Sequence, residues 1–203
     1  WATIIPKQYQ EIQDGSWNGT NWLKEISNEN ALLQNLSLNM MGGNDQSKFS
    51  IGYSLSNREG IMGVPVEPDF QRHTARINSE HILYKNENFD IIKFGENVNY
   101  AYSSRSGIGI GNIYWNDVHN MLVGNPLLPN YDNEGNFYDQ LDKINDGWIF
   151  DGATANPAAE MYYRRGQNLS KSHSLSANAY LEVQPIEGLK WRTNFGYRMS
   201  ASS

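Results

Sequence analysis

Polar and apolar residues alternate with a period of two in six segments of the chain, the pattern of β-strands with two unlike faces. In residues 48–57 the apolar positions Phe49, Ile51, Tyr53 and Leu55 alternate with small polar residues. The other segments are residues 34–40, 70–84, 89–103, 168–184 and 189–199. The pattern predicts six antiparallel strands.

Three polar residues interrupt the predicted apolar faces. His73 and His81 fall on the apolar face of the third strand, and Glu96 falls on that of the fourth. A β-bulge near Gly95 would re-aim Glu96. A shift of the strand assignment by one residue would do the same.

The connections between the strands alternate between short and long. The turns at 42–45, 85–88 and 185–188 are short, whereas the connections at 58–69 and 104–167 are long and residues 1–30 form another long segment. Outer-membrane barrels have short periplasmic turns and long external loops, while sandwich strands are shorter, at about 5–6 residues. We therefore predict an all-β fold, with antiparallel strands of a transmembrane β-barrel and long extracellular loops.

The predicted organisation has four parts. Residues 1–30 are an extracellular loop, residues 31–103 hold four barrel strands, residues 104–167 are a long extracellular loop, and residues 168–203 hold two more strands. Within the second loop, residues 115–123 favour a short helix. Aromatic residues near both ends of the strands, including Phe49, Trp191, Tyr100 and Tyr102, fit the aromatic girdles of a barrel.

Composition supports a wall with one wet and one apolar face. Charged residues make up 19% of the chain, against about a quarter in soluble domains, and no run of apolar residues approaches the roughly 18 that a spanning helix needs. A barrel strand needs only about 9–11 alternating residues. The net charge of −6 argues against a nucleic-acid partner, and the chain has no cysteine. The first residue, Trp1, and the strand pattern at the end indicate an excerpt of a longer protein.

No catalytic, cofactor or metal site is predicted. The histidines lie in no recognisable nucleophile motif, and the glycines of residues 107–111 lack phosphate-loop spacing. Residues 132–136 resemble a calcium loop but lack the EF-hand spacing, so an ordinary turn is favoured. The sequence therefore does not indicate an enzyme.

Aromatic residues in the long connections are the substrate-binding candidates, because exposed rings can stack on sugars or anchor an interface. The alternative is that they pack loop against loop. The candidates are Trp17, Trp22, Trp115, Trp148, Tyr131, Tyr162 and Tyr163.

The polar strand face is the candidate lumen. In a transporter its side chains would line a hydrated path and bond to a plug, or would serve only to hold that plug. These residues are Arg72, Arg76, Asn78, Glu80, Lys93, Asn97, Asn99, Lys190, Arg192 and Arg198.

An ordered series of short segments resembles a known family. Residues 18–26, 34–38, 42–43, 48–50, 58–61, 70–78 and 94–99 resemble, in this order, the barrel region of SusC/RagA-like TonB-dependent transporters of Bacteroidetes. The resemblance implies a 22-strand barrel in the bacterial outer membrane, in contact with its lipid, and an N-terminal plug domain coupled to the TonB complex. It also implies a SusD-like surface lipoprotein and an oligosaccharide or peptide substrate.

The sequence departs from that family pattern, because it contains neither a plug nor a TonB-contact segment, and six strands are too few to close a barrel. The first hypothesis is thus a segment of an importer. The alternative is a soluble secreted or surface-attached all-β module that binds carbohydrate or protein and buries its apolar face under a second layer.

Overall fold

Six strands form one antiparallel sheet in chain order, which confirms the predicted all-β class. The computed structural model describes residues 1–112, 114, 116–149 and 155–203. The strands are β1 (Leu33–Gly43), β2 (Ser47–Glu59), β3 (Asp69–Lys85), β4 (Asp90–Arg105), β5 (Ser170–Ile186) and β6 (Leu189–Ser202). Their bounds differ from the predicted segments by at most three residues, and β4 and β5 begin one and two residues later than predicted. The strands form a sheet unit, residues 32–58, 69–105 and 169–203.

Asparagine side chains close two of the short turns. The Oδ1 atom of Asn44 accepts hydrogen bonds from the amides of Gln46, at 2.9 Å, and Ser47, at 2.8 Å. Asn86 does the same for the amides of Asn88 and Phe89. These Asx turns satisfy backbone donors where the chain reverses, so the turn residues define the strand register.

The register places alternate residues of all strands on two continuous faces. Ile77 lies opposite Val98, Val98 opposite Ala177, and Ala177 opposite Tyr197. The next residues along these strands, beginning with Asn78 opposite Asn97, form the polar face. Residues opposed in an antiparallel ladder share a face, so each face extends across the strands.

The β-bulge near Gly95, one of the two alternatives considered for Glu96, does not occur. The β3–β4 register runs without a shift past Glu80 opposite Gly95, and its irregularities lie between Ile82 and Lys85. Glu96 remains on the apolar face because Ser79, directly opposite, donates a hydrogen bond to its carboxylate at 3.2 Å. His81, on the same face, contacts the hydroxyl oxygens of Ser47 and Ser79 at 3.0 and 3.1 Å.

Gly95 makes room for an aromatic ring on the polar face. The Tyr180 ring lies where a Cβ atom on residue 95 would sit. Its hydroxyl donates to Glu80 Oε2 at 2.6 Å, and the Arg192 guanidinium stacks over the ring at 3.7 Å. A strand glycine here is required by the close approach of a neighbouring side chain.

The long connections fold into a second compact unit with short helices. This helical unit comprises residues 1–31, 59–68 and 106–168. Its helices are α1 (Pro6–Asp14), α2 (Trp22–Ile26), α3 (Asp117–Leu122), α4 (Gln140–Asn145) and α5 (Pro157–Tyr163). Helix α3 lies within the segment predicted to be helical, whereas the other helices were not predicted. No described helix is long and apolar enough to cross a membrane.

Asparagine and aspartate side chains begin four of these helices. The N-cap residues Asn21, Asn116, Asp139 and Asn156 each accept a hydrogen bond from a backbone amide of the first turn. Such caps satisfy amides that have no partner inside the helix. The helices then contribute to one small core, which contains Trp22, Ile26, Met121, Leu128, Tyr138, Ala158 and Met161.

A buried polar network joins α1 to the region around α4. Gln8 is buried; its Nε2 donates to Asp146 Oδ2 at 2.8 Å and its Oε1 accepts from Trp148 Nε1 at 2.8 Å. The hydroxyl of Tyr138 donates to Asp146 Oδ2 at 2.7 Å, and Lys7 Nζ donates at 3.0 Å. Asp146 is therefore the common acceptor for three donors, two of which come from α1 in a distant part of the chain.

This network shifts the pKa values of two of its members. Burial acts to raise the pKa of Asp146, but the hydrogen bonds from Tyr138, Lys7 and Gln8 outweigh it and hold that pKa below its usual value. Burial, followed by the hydrogen bond to the Asp146 carboxylate, raises the pKa of Tyr138 far above its usual value. The folded helical unit thus favours an ionised Asp146 beside a neutral Tyr138.

Gly95→Ala should destabilise the sheet, because the added methyl group displaces the Tyr180 ring from its contacts with Glu80 and Arg192. We expect a loss of about 1–3 kcal/mol in the free energy of unfolding, measured by denaturant titration. Gly196→Ala is the control, since its Cβ would meet only the Asn178 side-chain oxygen, at 3.1 Å. Equal losses of unfolding free energy in Gly95→Ala and Gly196→Ala would contradict this role. It would also be contradicted if Gly95→Ala caused the same loss in a Tyr180→Ala background, where no ring remains to be displaced.

Asp146→Asn should loosen the helical unit by about 1–3 kcal/mol, because one amide oxygen cannot serve three donors. A carboxyl with a lowered folded pKa contributes stability above its unfolded pKa of about 3.9, and this contribution is lost as pH falls through the folded pKa. Amide hydrogen exchange at Ile149, whose N–H bonds to the Ile4 carbonyl oxygen at 3.1 Å, measures both effects after correction for intrinsic rates. Glu29→Gln, at an exposed position, is the control. If exchange at Ile149 depends on acidic pH in Asp146→Asn as it does in the wild type, the assignment of this dependence to Asp146 is contradicted.

Candidate functional site

The predicted lumen residues all lie on the polar face of the sheet, which the register defines. Arg76 lies opposite Asn99, and Asn78 lies opposite Asn97, which donates a hydrogen bond to it. Arg198 lies opposite Ser176, which lies opposite Asn99, so Arg198 belongs to the same row. Alternate residues of a strand share a face, which places the remaining predicted residues on this face as well: Arg72, Glu80, Lys93, Lys190 and Arg192. The structure therefore brings the whole set together on one surface.

Charges on this face are paired near the short turns. Lys190 Nζ and Arg192 Nη1 each lie 3.8 Å from a carboxylate oxygen of Glu182. Lys93 Nζ forms a closer pair with Asp90, at 2.9 Å. Together with the Tyr180–Glu80 hydrogen bond, these contacts form a local network in which each carboxylate faces a donor.

The helical unit contains a concave pocket of about 520 Å³. Trp17 and Tyr131, two of the predicted binding residues, are part of its wall. Five acidic residues line it as well, and Lys7 is its one basic residue among those described. The acidic residues are Glu11, Asp132, Glu134, Asp142 and Asp146. Aromatic rings beside carboxylates suit sugar hydroxyls and cationic groups, so this pocket is the candidate capture site of the helical unit.

Tyr131 belongs to a cluster of aromatic rings that extends along the helical unit. Its ring stacks on Phe137 at 5.2 Å, Phe137 lies 5.4 Å from Tyr162, and Tyr162 lies 5.7 Å from Tyr163. The Arg165 guanidinium lies over the Tyr162 ring at 3.7 Å from its centroid. Tyr131 is 46% exposed and Tyr163 is 71% exposed, so the ends of the cluster present open rings.

The turn that carries Tyr131 is closed by Asp132. Its carboxylate accepts from the amides of Glu134 and Asn136, both at 2.8 Å. Desolvation acts to raise the pKa of Asp132, but the hydrogen bonds from Asn136 and the turn amides lower it overall. Burial, and then the charge of Glu25, raises the pKa of the Tyr131 phenol. Among the described residues, no group of three or more metal-ligating side chains is placed to hold an ion.

The remaining predicted binding residues occupy different surroundings. Trp22 is 4% exposed, packs in the core of the helical unit, and donates its indole N–H to the Asn125 carbonyl oxygen at 2.9 Å. Trp148 is partly buried and bonds to Gln8. Trp115 lies outside the described residues. The structure therefore places Trp17 and Tyr131 in one pocket, and Tyr131 in one ring cluster with Tyr162 and Tyr163. Trp22 and Trp148 instead contribute to the packing of the helical unit.

Several residues of these sites were not singled out from the sequence. Glu11, Glu134 and Lys7 line the pocket, and Tyr180 with Gly95 organises the polar face. Of these residues, only Gly95 could have been recognised from the sequence, since a single glycine within a strand indicates that another group packs closely against the backbone. The pocket residues come from distant connections, and no local pattern joins them.

Comparison with known proteins shows a similarity of fold. Chains from two structures of the RagAB peptide importer, in the closed-closed and the open-open state, match with TM-scores of 0.62 and 0.63 at 20% and 19% identity. A chain of the RagAB peptide transporter matches with a TM-score of 0.61 at 19% identity. Each match covers 91% of this chain and 19% of the other, so the chain spans about a fifth of the length of these neighbours.

No protein-family model matches the chain, and no curated protein matches it. At 19–20% identity the structural likeness concerns the fold alone. The chain therefore shares its fold with part of a chain in the structures of a peptide importer.

Proposed function

We propose that this chain is part of the barrel wall of a SusC/RagA-like, TonB-dependent importer of the bacterial outer membrane. Its mechanism is gated passage rather than catalysis. The observation that carries the proposal is the exposed apolar face of the sheet, which lies opposite a charged and hydrogen-bonded polar face.

The apolar face is built from large side chains that remain exposed. Leu38 on β1 is 69% exposed and Phe195 on β6 is 73% exposed, and Leu36, Met40, Trp191 and Tyr197 are exposed as well. Contiguous apolar patches of this extent are rare on soluble proteins. Hydrocarbon is the environment in which such a face is stable, while the polar face remains hydrated.

Rings lie at both ends of this apolar face. Near the long connections, His73, Tyr102 and His173 are directly opposed across three strands. Tyr53 and Tyr100 extend this row, since their hydroxyls lie 2.7 Å and 2.8 Å from Nδ1 of His73 and His173.

Tyr84 and Trp191 lie near the short turns of the same face. The two levels are separated by about 10 residues, roughly 25–33 Å, which is close to the height of the apolar band of a barrel. Polar ring atoms at both levels suit the two membrane interfaces.

The outer strands of the sheet support a larger wall. Within the described chain, β1 pairs only with β2, and β6 pairs only with β5. Unpaired backbone groups are costly in lipid, so both edges call for neighbouring strands. The resemblance noted above supplies them as the rest of a 22-strand barrel.

In this proposal the short turns face the periplasm, and residues 1–30 and 104–167 lie at the cell surface. The aromatic pocket and ring cluster there would help capture an oligosaccharide or a peptide. A SusD-like lipoprotein would contact this surface, and a plug domain would couple transport to the TonB complex. Support comes from the resemblance in sequence and from the fold shared with a peptide importer.

A soluble carbohydrate- or protein-binding module is the second candidate. It is favoured by the small hydrophobic core of the helical unit and by the aromatic pocket, both of which occur in soluble binding domains. It would require a second layer over the apolar face, and the exposure of Leu38 and Phe195 disfavours it.

Leu38→Arg should impair insertion of the full-length protein into the outer membrane, because Leu38 lies at mid-strand on the apolar face. An arginine on the lipid face near the midplane costs about 2–4 kcal/mol. We expect a lower folded fraction in lipid bilayers, measured by a gel assay that separates folded from unfolded protein.

The adjacent Ser37→Arg is the matched control, since Ser37 lies on the polar face opposite Ser54. It should fold as well as the wild type. Equal tolerance of arginine at both positions would overturn the assignment of the apolar face to lipid.

A further inference from the structure

The polar face of the sheet is divided into two halves of different charge. In the six strands, its acidic residues are Glu80, Glu182 and, through its ion pair with Lys93, Asp90, and all three lie in the half near the short turns. That half also holds Lys93, Lys190 and Arg192, so its charges are largely compensated.

The half near the long connections contains arginines and no carboxylate. Arg58, Arg72, Arg76, Arg105 and Arg198 lie there, and we call them the arginine half. Their directly opposed neighbours on the same face are Leu33, Ser103, Asn99, Phe70 and Ser176. In the part of the chain that the structure describes, Arg72, Arg76 and Arg198 are exposed and have no acidic partner.

The distribution of charge makes this half unusual for the protein. The helical unit has 14 acidic and 5 basic residues, a formal charge of −9, while the sheet unit has 8 acidic and 11 basic residues, a charge of +3. A protein with a net charge of −6 thus concentrates uncompensated arginines on one surface. Guanidinium groups bind carboxylates through two parallel hydrogen bonds, and several uncompensated guanidinium groups on one surface attract an anionic ligand.

We propose that the arginine half binds the carboxylates of an acidic peptide in extended conformation, an inference that rests on the proposed function. Arg72 and Arg76 are four residues apart on β3, a separation of about 13 Å. Side chains i and i+4 of an extended peptide are separated by the same distance. Arg76 and Arg198 are the two ends of one row that crosses β3, β4, β5 and β6, and three strand spacings separate them by about 14 Å. A peptide with glutamates at i and i+4 therefore matches a pair of arginines whether it lies along β3 or across the strands.

The test uses the full-length protein in detergent and two capped octapeptides, one with glutamate at positions i and i+4 and one with glutamine there. Isothermal titration calorimetry measures both affinities. We expect the glutamate peptide to bind at least about 10-fold more tightly, because each charged pair contributes more than a neutral hydrogen bond. Arg76→Gln/Arg198→Gln should weaken its binding about 10- to 100-fold and leave the glutamine peptide unaffected.

Lys85→Gln/Lys171→Gln is the matched control, because it removes the same charge from outside the arginine half. It should change the affinity less than about 2-fold. Arg76→Lys/Arg198→Lys keeps the charge without the planar fork and should show an intermediate loss, so it serves as the test if the glutamine variant fails to fold.

Three results with the intact protein would overturn the inference. They are equal losses in the arginine and lysine double variants, equal affinity for the two peptides, and binding of an acidic oligosaccharide in place of the glutamate peptide. Binding that appears only after deletion of the plug would also overturn it, since the arginines would then hold the protein's own acidic residues. Each failure is separable from failure of the proposed function, because insertion of the Leu38 and Ser37 variants is measured without peptide.

Discussion

The contrast between the two faces of one continuous sheet is the constraint on which the rest of the structure depends. Each strand has a period of two, so a register error of a single residue would move every apolar side chain to the wet face. The pairing of β3 with β4 runs without a shift from Phe70 to Ile82, and the described pairing of β4 with β5 has no shift. Ile77, Val98 and Ala177 therefore stay in one row. A wall between lipid and water requires this fidelity.

Polar residues that lie on the apolar face of the sheet are stabilised by hydrogen bonds to neighbouring side chains. Glu96 and His81 share the serines of neighbouring strands, and His73 and His173 contact tyrosine hydroxyls. On the polar face, Gly95 admits the Tyr180 ring, which in turn orders Glu80 and Arg192. Buried or half-buried polar groups are stable when such partners are present. The β3–β4 register therefore passes Glu96 and Gly95 without a shift.

Much of the sheet could be predicted from the sequence, because period-two alternation and Asn-containing turns are local signals. The helical unit could not be predicted in the same way. Asn21, Asp139 and Asn156 are residues typical of loops, yet here they cap helices, and Pro157 begins one. The pocket around Trp17 and Tyr131 is formed by segments more than 100 residues apart, and the local periodicity of a sequence contains no information about such contacts.

The most direct test of the two-face account is a scan of single cysteines along β1 and β3 of the full-length protein in bilayers. The chain has no cysteine of its own, and any cysteine elsewhere in the full-length protein is replaced first, so each spin label has a unique position. The account predicts that accessibility to lipid-soluble oxygen alternates with a period of two and is highest at Leu36, Leu38 and Ile77. Accessibility to a water-soluble nickel chelate should peak at Ser37 and Asn78. Water accessibility on both faces, or protection of Leu38 from both reagents, would contradict the account.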